Sequence, residues 1–369
     1  MVRGNSARRV PAFAVGLAAL ALAAAGCETF DDPSTIKDLR LLAARLEPAE
    51  IILDPMAPGA PLPAFRLSPL LVDGPRSGAE TRPISFSLRA CANDPLAPSA
   101  PGSGGEAAGN YPAGGARSTV GSARCPADSA VSWTLPVMPA PAPLASPDAP
   151  SFMVTLTPAQ IAAAFQVDVF PGHLGHLHGG FDLRLPIAFE ITARAGDDIV
   201  TGIKRLIVWP GPIAPDHHAN QNPQIDQLLG YPERDATTLL PVGTTAVLAN
   251  DTPAVVTAGH GFWIEPRGAV AEPYLTTVID RYTDETRPDS VPAETLRYSF
   301  FATAGKFEPN ETTSELAFGA TTTTGRVPIE SHYLAPDTVT APLMVRIIVV
   351  VRDDRGGTSW IERPLVVTP

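Results

Sequence analysis

One pair of segments limits this chain's fold more than any other feature: Leu185 to Ala195 and Ile199 to Trp209, joined by Gly196-Asp197-Asp198. Two long apolar, β-branched runs around a turn rich in residues that accept positive φ predict a β-hairpin. Proline sets the second limit. It contributes 41 of 369 residues, about twice the ordinary share of ~5%, and a residue without an amide donor is poorly tolerated inside helices and central strands. Long loops and edge positions must therefore be plentiful.

Further strand signals occur at Ala64 to Val72, Pro83 to Cys91 and Ala130 to Val137. Others follow at Thr244 to Leu248, Thr252 to Ile264, Tyr274 to Tyr282, Leu296 to Ala304, Leu343 to Arg352 and Thr358 to Val367. Leu39 to Leu53 reads as strand, turn at Pro48 and strand, with a helix from Asp38 to Leu46 as a competing reading. The last two strands flank Asp353-Asp-Arg-Gly-Gly357, and Leu343 to Arg352 is apolar on both faces, as a strand buried on both sides should be. Thr157-Pro-Ala-Gln160 forms a capping box that predicts one short helix, Pro158 to Phe165. Ile225 to Leu229 fits a single helical turn. Short strands at this spacing without a long helix predict an all-β protein of two immunoglobulin-like β-sandwich domains, with long Pro/Gly-rich loops and one short helix. No internal repeat is legible in the residues.

The polar, aperiodic run from Pro210 to Pro223 divides the chain. The expected organisation is a signal peptide over 1–26, a tether over 27–38, a first domain over 39–209, a linker over 210–235 and a second domain over 236–369. Two cores suit this length, because single cores seldom outgrow ~250 residues. Between Cys91 and Cys125 the chain is Gly-, Ala-, Ser- and Pro-rich, too poor in large apolar residues to order itself.

Arg3, Arg8 and Arg9 precede an apolar run that is too short for the ~20 residues of a membrane span and fits a signal-peptide core. Ala24-Ala25-Gly26-Cys27 closes that run, with Leu22 slightly off the usual place of leucine. The pattern predicts that Cys27 is lipidated and ties the chain to a bacterial membrane, at its periplasmic face or outer surface. The cysteine count agrees. Three cysteines leave one over after any pair, and lipidation of Cys27 accounts for it. An exported chain oxidises its thiols, so Cys91 and Cys125 should form a disulfide.

Removing residues 1–26 takes away three of 27 basic residues and no acids, which moves the net charge from −11 to −14. A nucleic-acid partner is excluded, since phosphate binding needs a basic patch. Anionic headgroups would repel this surface, so the membrane link should be the lipid alone.

Three stretches carry a resemblance: Asp32-Pro-Ser34 with Lys37-Asp-Leu-Arg-Leu-Leu-Ala43 and Glu47-Pro-Ala-Glu50, then Asn220-Gln-Asn-Pro-Gln-Ile225, then Ser299-Phe-Phe-Ala-Thr-Ala-Gly305. In these the chain resembles myxobacterial-type lipoproteins with immunoglobulin-like domains, although Ala49 stands where a second proline is expected. The resemblance implies fold and address, and no activity.

Site candidates are few. His173, His176 and His178 could supply three imidazoles to zinc, with His217-His218 further on. Their glycine-flanked loop and the lack of a nearby general base favour a solvated turn, so no metal and no cofactor are expected. Asp197-Asp198, Asp251 and Asp353-Asp354 could gather calcium, but turn aspartates are commoner and the ligand spacing of a calcium loop is missing. No nucleophile elbow, Walker loop or dinucleotide glycine loop is present. Trp133, Trp209, Trp263 and Trp360 fall in strands, which predicts core packing rather than a sugar-stacking platform. The expectation is a non-enzymatic binding or scaffolding protein whose partner is an envelope protein or polysaccharide. The alternative is a metal-dependent hydrolase using the His173, His176 and His178 cluster.

Overall fold

A computed structural model describes residues 32–53, 64–74, 82–92, 124–125, 132–136, 150–161, 185–209, 218–272, 294–315 and 327–369. Two compact units are distinguished, Met1–Pro33 and Ser34–Pro369. The second is an all-β unit in which two sandwiches follow one another along the chain. The earlier is built from β1 (Arg40–Glu47), β2 (Glu50–Ile52), β3 (Phe65–Val72), β4 (Ser85–Cys91), β5 (Ser132–Leu135), β6 (Phe152–Val154), β7 (Leu185–Ala195) and β8 (Asp198–Trp209). The later opens with β9 (Gln227–Tyr231), β10 (Glu233–Arg234), β11 (Pro241–Val242), β12 (Ala246–Val247), β13 (Ala254–Thr257) and β14 (Gly261–Arg267). It closes with β15 (Arg297–Ala302), β16 (Lys306–Glu308), β17 (Glu311–Thr313), β18 (Ser331–Leu334), β19 (Leu343–Arg352) and β20 (Thr358–Thr368).

The sheets reveal a repeat that the residues hide. In the first sandwich a sheet of order β2-β8-β7-β4-β5 faces one of order β1-β3-β6. The second sandwich has β13-β20-β19-β15-β17 facing β12-β9-β14-β18-β16. Matching the strands in chain order pairs β1 with β9, β2 with β13, β3 with β14, β4 with β15, β5 with β17 and β6 with β18. The closing hairpins, β7-β8 and β19-β20, then correspond. Among the described strands, each sandwich has a parallel pair in the same place, β2 on β8 and β13 on β20, while the rest of the shared ladder is antiparallel.

Alternation explains the cores. Ile187, Phe189, Ile191 and Ala193 on β7 meet Leu46, Phe65, Leu67 and Phe152 across the first sandwich, with Phe65 and Phe189 edge to face at 5.3 Å. Val345, Ile347, Val349 and Val351 on β19 meet Phe300, Phe307 and Tyr333 in the second. The opposite face of β19 is apolar for a separate reason. Ile348 and Val350, with Phe301 and Trp360, pack on Ile36, Leu42, Ala43, Leu70 and Val72, so the outer face of β1 and β3 covers it. Burying both faces of one strand joins the two sandwiches through a third apolar cluster.

Some segments match expectation and others depart from it. The residues 40–47 form a strand, not a helix, because Leu41, Leu46 and their neighbours serve the first core while Leu42 and Ala43 serve the junction. Residues 227–231 form β9, where a helical turn was expected: five ladder pairs with β14 override the weak local pattern. β9 thus lies inside the stretch 210–235 that reads as linker. Thr252 to Ile264 divides into β13 and β14 at Gly259, whose φ of +73° suits glycine and turns the chain. Thr157 accepts from the Gln160 amide at 3.2 Å and its own amide donates to the Gln160 side chain at 2.8 Å, so the capping box forms at a helix described over 158–161. The strand expected over 274–282 and the loop between Cys91 and Cys125 lie largely outside the described residues.

Candidate functional site

The most concentrated chemistry among the described residues lies where the β19-β20 turn meets the end of the first sandwich. Lys204 sits on β8 in register with Leu206 and Val208, all three buried. A lysine there must find acceptors, and its Nζ donates to the Gly356 carbonyl and, at 2.9 Å, to Thr358 Oγ1. Burial drives its pKa down to about 7, opposed by the charge of Asp353. Glu50, buried at the start of β2, accepts from the Trp209 indole, from the Asn220 amide at 2.6 Å and from Arg355. Arg355 also donates to Glu294 at 3.2 Å.

The turn itself is built around Asp353. Its Oδ1 accepts from the Gly357 amide at 2.6 Å and the Arg355 amide at 3.0 Å, and its Oδ2 accepts from Asn220 Nδ2 at 3.1 Å. Burial raises the pKa of Asp353, while these hydrogen bonds lower it. Gly357 permits the approach: a Cβ there would stand 2.1 Å from Asp353 Oδ2 and 2.9 Å from the Gln221 carbonyl. Asn222 completes the joint, donating to the Leu46 carbonyl at 2.7 Å and accepting from the Thr358 amide at 2.8 Å. Burial and the nearby charge of Asp353 push Glu294 up to about 7. Every partner named here is another group of the chain, so the arrangement acts as a polar weld between sandwiches.

The fate of the expected site residues follows. Cys91 and Cys125 are joined, with sulfurs 2.15 Å apart and Cα atoms at 5.7 Å. The pair lies beside Ala188 and Ile203, and the Cys125 amide donates to Glu190 at 2.6 Å. Cys27, His173, His176, His178 and His217 lie outside the described residues. His218 is exposed, with Nε2 4.0 Å from Glu272. Asp198 pairs with Arg82 at 2.6 Å, Asp251 is exposed, and Asp353 belongs to the weld. Among the described residues no group of three or more His, Cys, Asp or Glu side chains could hold a metal ion. Trp209 is buried, whereas Trp263 has the Arg234 guanidinium 3.9 Å over its ring and the His332 ring at 4.9 Å. Trp360 carries Arg45 at 5.1 Å.

Sequence reasoning placed Asp353 in a turn and missed Glu50, Lys204, Asn220, Asn222, Glu294 and Arg355. One signal was available, since Lys204 interrupts a buried alternation where an apolar residue belongs. Comparison with protein-family models gives no match, and comparison with curated proteins gives none.

Proposed function

We propose that this chain is a non-enzymatic, lipid-anchored envelope protein whose two immunoglobulin-like sandwiches form a rigid frame that binds or scaffolds an envelope protein or polysaccharide. The observation that carries this reading is the weld. Its buried ionisable groups hold one sandwich to the other, so these charges serve rigidity, and recognition falls to the loops. The basic start, short apolar run and Ala24-Ala25-Gly26-Cys27 supply the anchor. Fatty-acid labelling and membrane fractionation test the anchor: Cys27→Ser should abolish the label and release the chain, and a labelled, membrane-bound variant would end it. Zinc calorimetry tests the non-enzymatic part. A nanomolar site lost on replacing His173, His176 and His178 with alanine would favour the hydrolase.

A further inference from the structure

The residues nearest the proposed anchor are fixed at one place. Thr35 forms a parallel bridge with Ala302; the Ala302 amide donates to the Ser34 carbonyl and the Ile36 amide to the Ala302 carbonyl, both at 2.8 Å. Thr35 Oγ1 donates to the Gly305 carbonyl at 2.5 Å, and the Phe307 amide donates to Ser34 Oγ at 2.8 Å. Of the stretch that reads as tether, Ser34 to Ile36 is thus bonded into the second sandwich. Seven peptide steps separate Cys27 from Ser34. At no more than ~3.6 Å per step, their Cα atoms can be at most about 25 Å apart.

Ala302 ends β15 beside a set of loops that are stitched together. The Ala258 amide donates to the Thr368 carbonyl at 2.8 Å, the Gly259 amide to the Pro336 carbonyl at 2.9 Å and the Ala335 amide to the His260 carbonyl at 3.0 Å. The Thr303 amide reaches the Arg346 carbonyl, and Tyr333 Oη donates to the Ala304 carbonyl. The loops 257–261, 303–305 and 335–342 contain Asp337 as their one acidic side chain, on a chain with 38 acids. Alongside them runs an apolar row. Val255 and Met344 flank Val366 in register on the outer face of the sheet, with relative exposures of 69% and 58%.

We propose that this end of the second sandwich lies against the lipid bilayer, with Val255 and Met344 toward the headgroup layer. The inference rests on the lipid anchor at Cys27 and adds an orientation to it. An acid-poor, apolar-edged end meets the least repulsion and desolvation cost at a membrane, and the fixed Ser34 keeps it within reach. Glu315, which follows β17, marks the opposite end of the same sandwich: the Ser314 amide donates to the Leu296 carbonyl at 2.7 Å, at the far end of β15 from Ala302.

The test uses the full lipidated chain in phosphatidylethanolamine and phosphatidylglycerol vesicles containing a headgroup-nitroxide lipid. A single fluorophore is placed on Thr338→Cys or, in a separate preparation, on Glu315→Cys, two exposed positions. Fatty-acid labelling of the same preparations is read first. Quenching several-fold stronger at 338 than at 315, and reduced by Val255→Asp with Met344→Asp while the label is retained, supports the orientation. A labelled protein quenched equally at both positions, or more strongly at 315, overturns the orientation and leaves the anchor standing. Absence of fatty acid on Cys27 overturns the anchor and this inference with it.

Discussion

Glu50 and Arg355 meet with side chains that are 3% and 12% exposed, and removing one member of such a pair strands the other charge. Arg355→Met should therefore cost about 3 to 5 kcal/mol in urea unfolding; a loss within the scatter of surface substitutions would remove the weld from the account. Glu294 supplies a pH signature. Its pKa rises from 4.5 to about 7 on folding, mainly through burial, so its contribution is fully present below 4.5 and is lost as pH rises toward 7. Glu294→Gln should flatten the fall of stability between pH 4.5 and 7, as read from urea midpoints, and an unchanged profile would contradict the assignment. Lys204 has the opposite sign: its depressed pKa favours the fold above 10.5 and that support is lost as pH falls toward 7. The aspartate of the turn was legible from its neighbours, because Asp353-Asp-Arg-Gly-Gly357 names a turn. Its burial was not, since that depends on Asn220 arriving from another part of the chain.

The β19-β20 turn is the element on which the joint depends. Gly356 holds a φ of +100° and Gly357 admits the Asp353 carboxylate within the space of a Cβ. Gly357→Ala should therefore destabilise the fold by several times the ~1 kcal/mol ordinary for a substitution, measured by thermal and urea unfolding, and a neutral result would mean that the turn can shift. Removing the Cys91-Cys125 bond by a double alanine change should cost about 3 to 4 kcal/mol for a loop of this length, with peptide mapping under non-reducing conditions confirming the pair in the parent. The long hairpins were legible because alternation and turn residues agree over ten or more positions. β6 and β18 were not, with only three and four residues to carry a period. β9 misled for a related reason, its identity coming from its ladder to β14 and not from its own residues.

Across the whole molecule, topology preserves what the residues have lost: eight strands of one sandwich recur in order in the other. The apolar pattern of β19 correctly announced a strand buried on both faces, yet its second cover came from β1 and β3 of the preceding sandwich. No periodicity within β19 could name that partner. The run from Asn220 to Ile225 looked like an open linker because it is polar, but Asn220 is buried and Asn222 bridges Leu46 to Thr358. Hydrogen bonds take the place of the apolar contacts that a sequence pattern can reveal. The central claim is that apolar junction and polar weld make one cooperative body of two sandwiches. Hydrogen exchange followed by mass spectrometry across a urea series, read separately for β7-β8 and β19-β20, tests it most directly. The account predicts coincident midpoints that separate in Arg355→Met; two midpoints already distinct in the parent chain would contradict it.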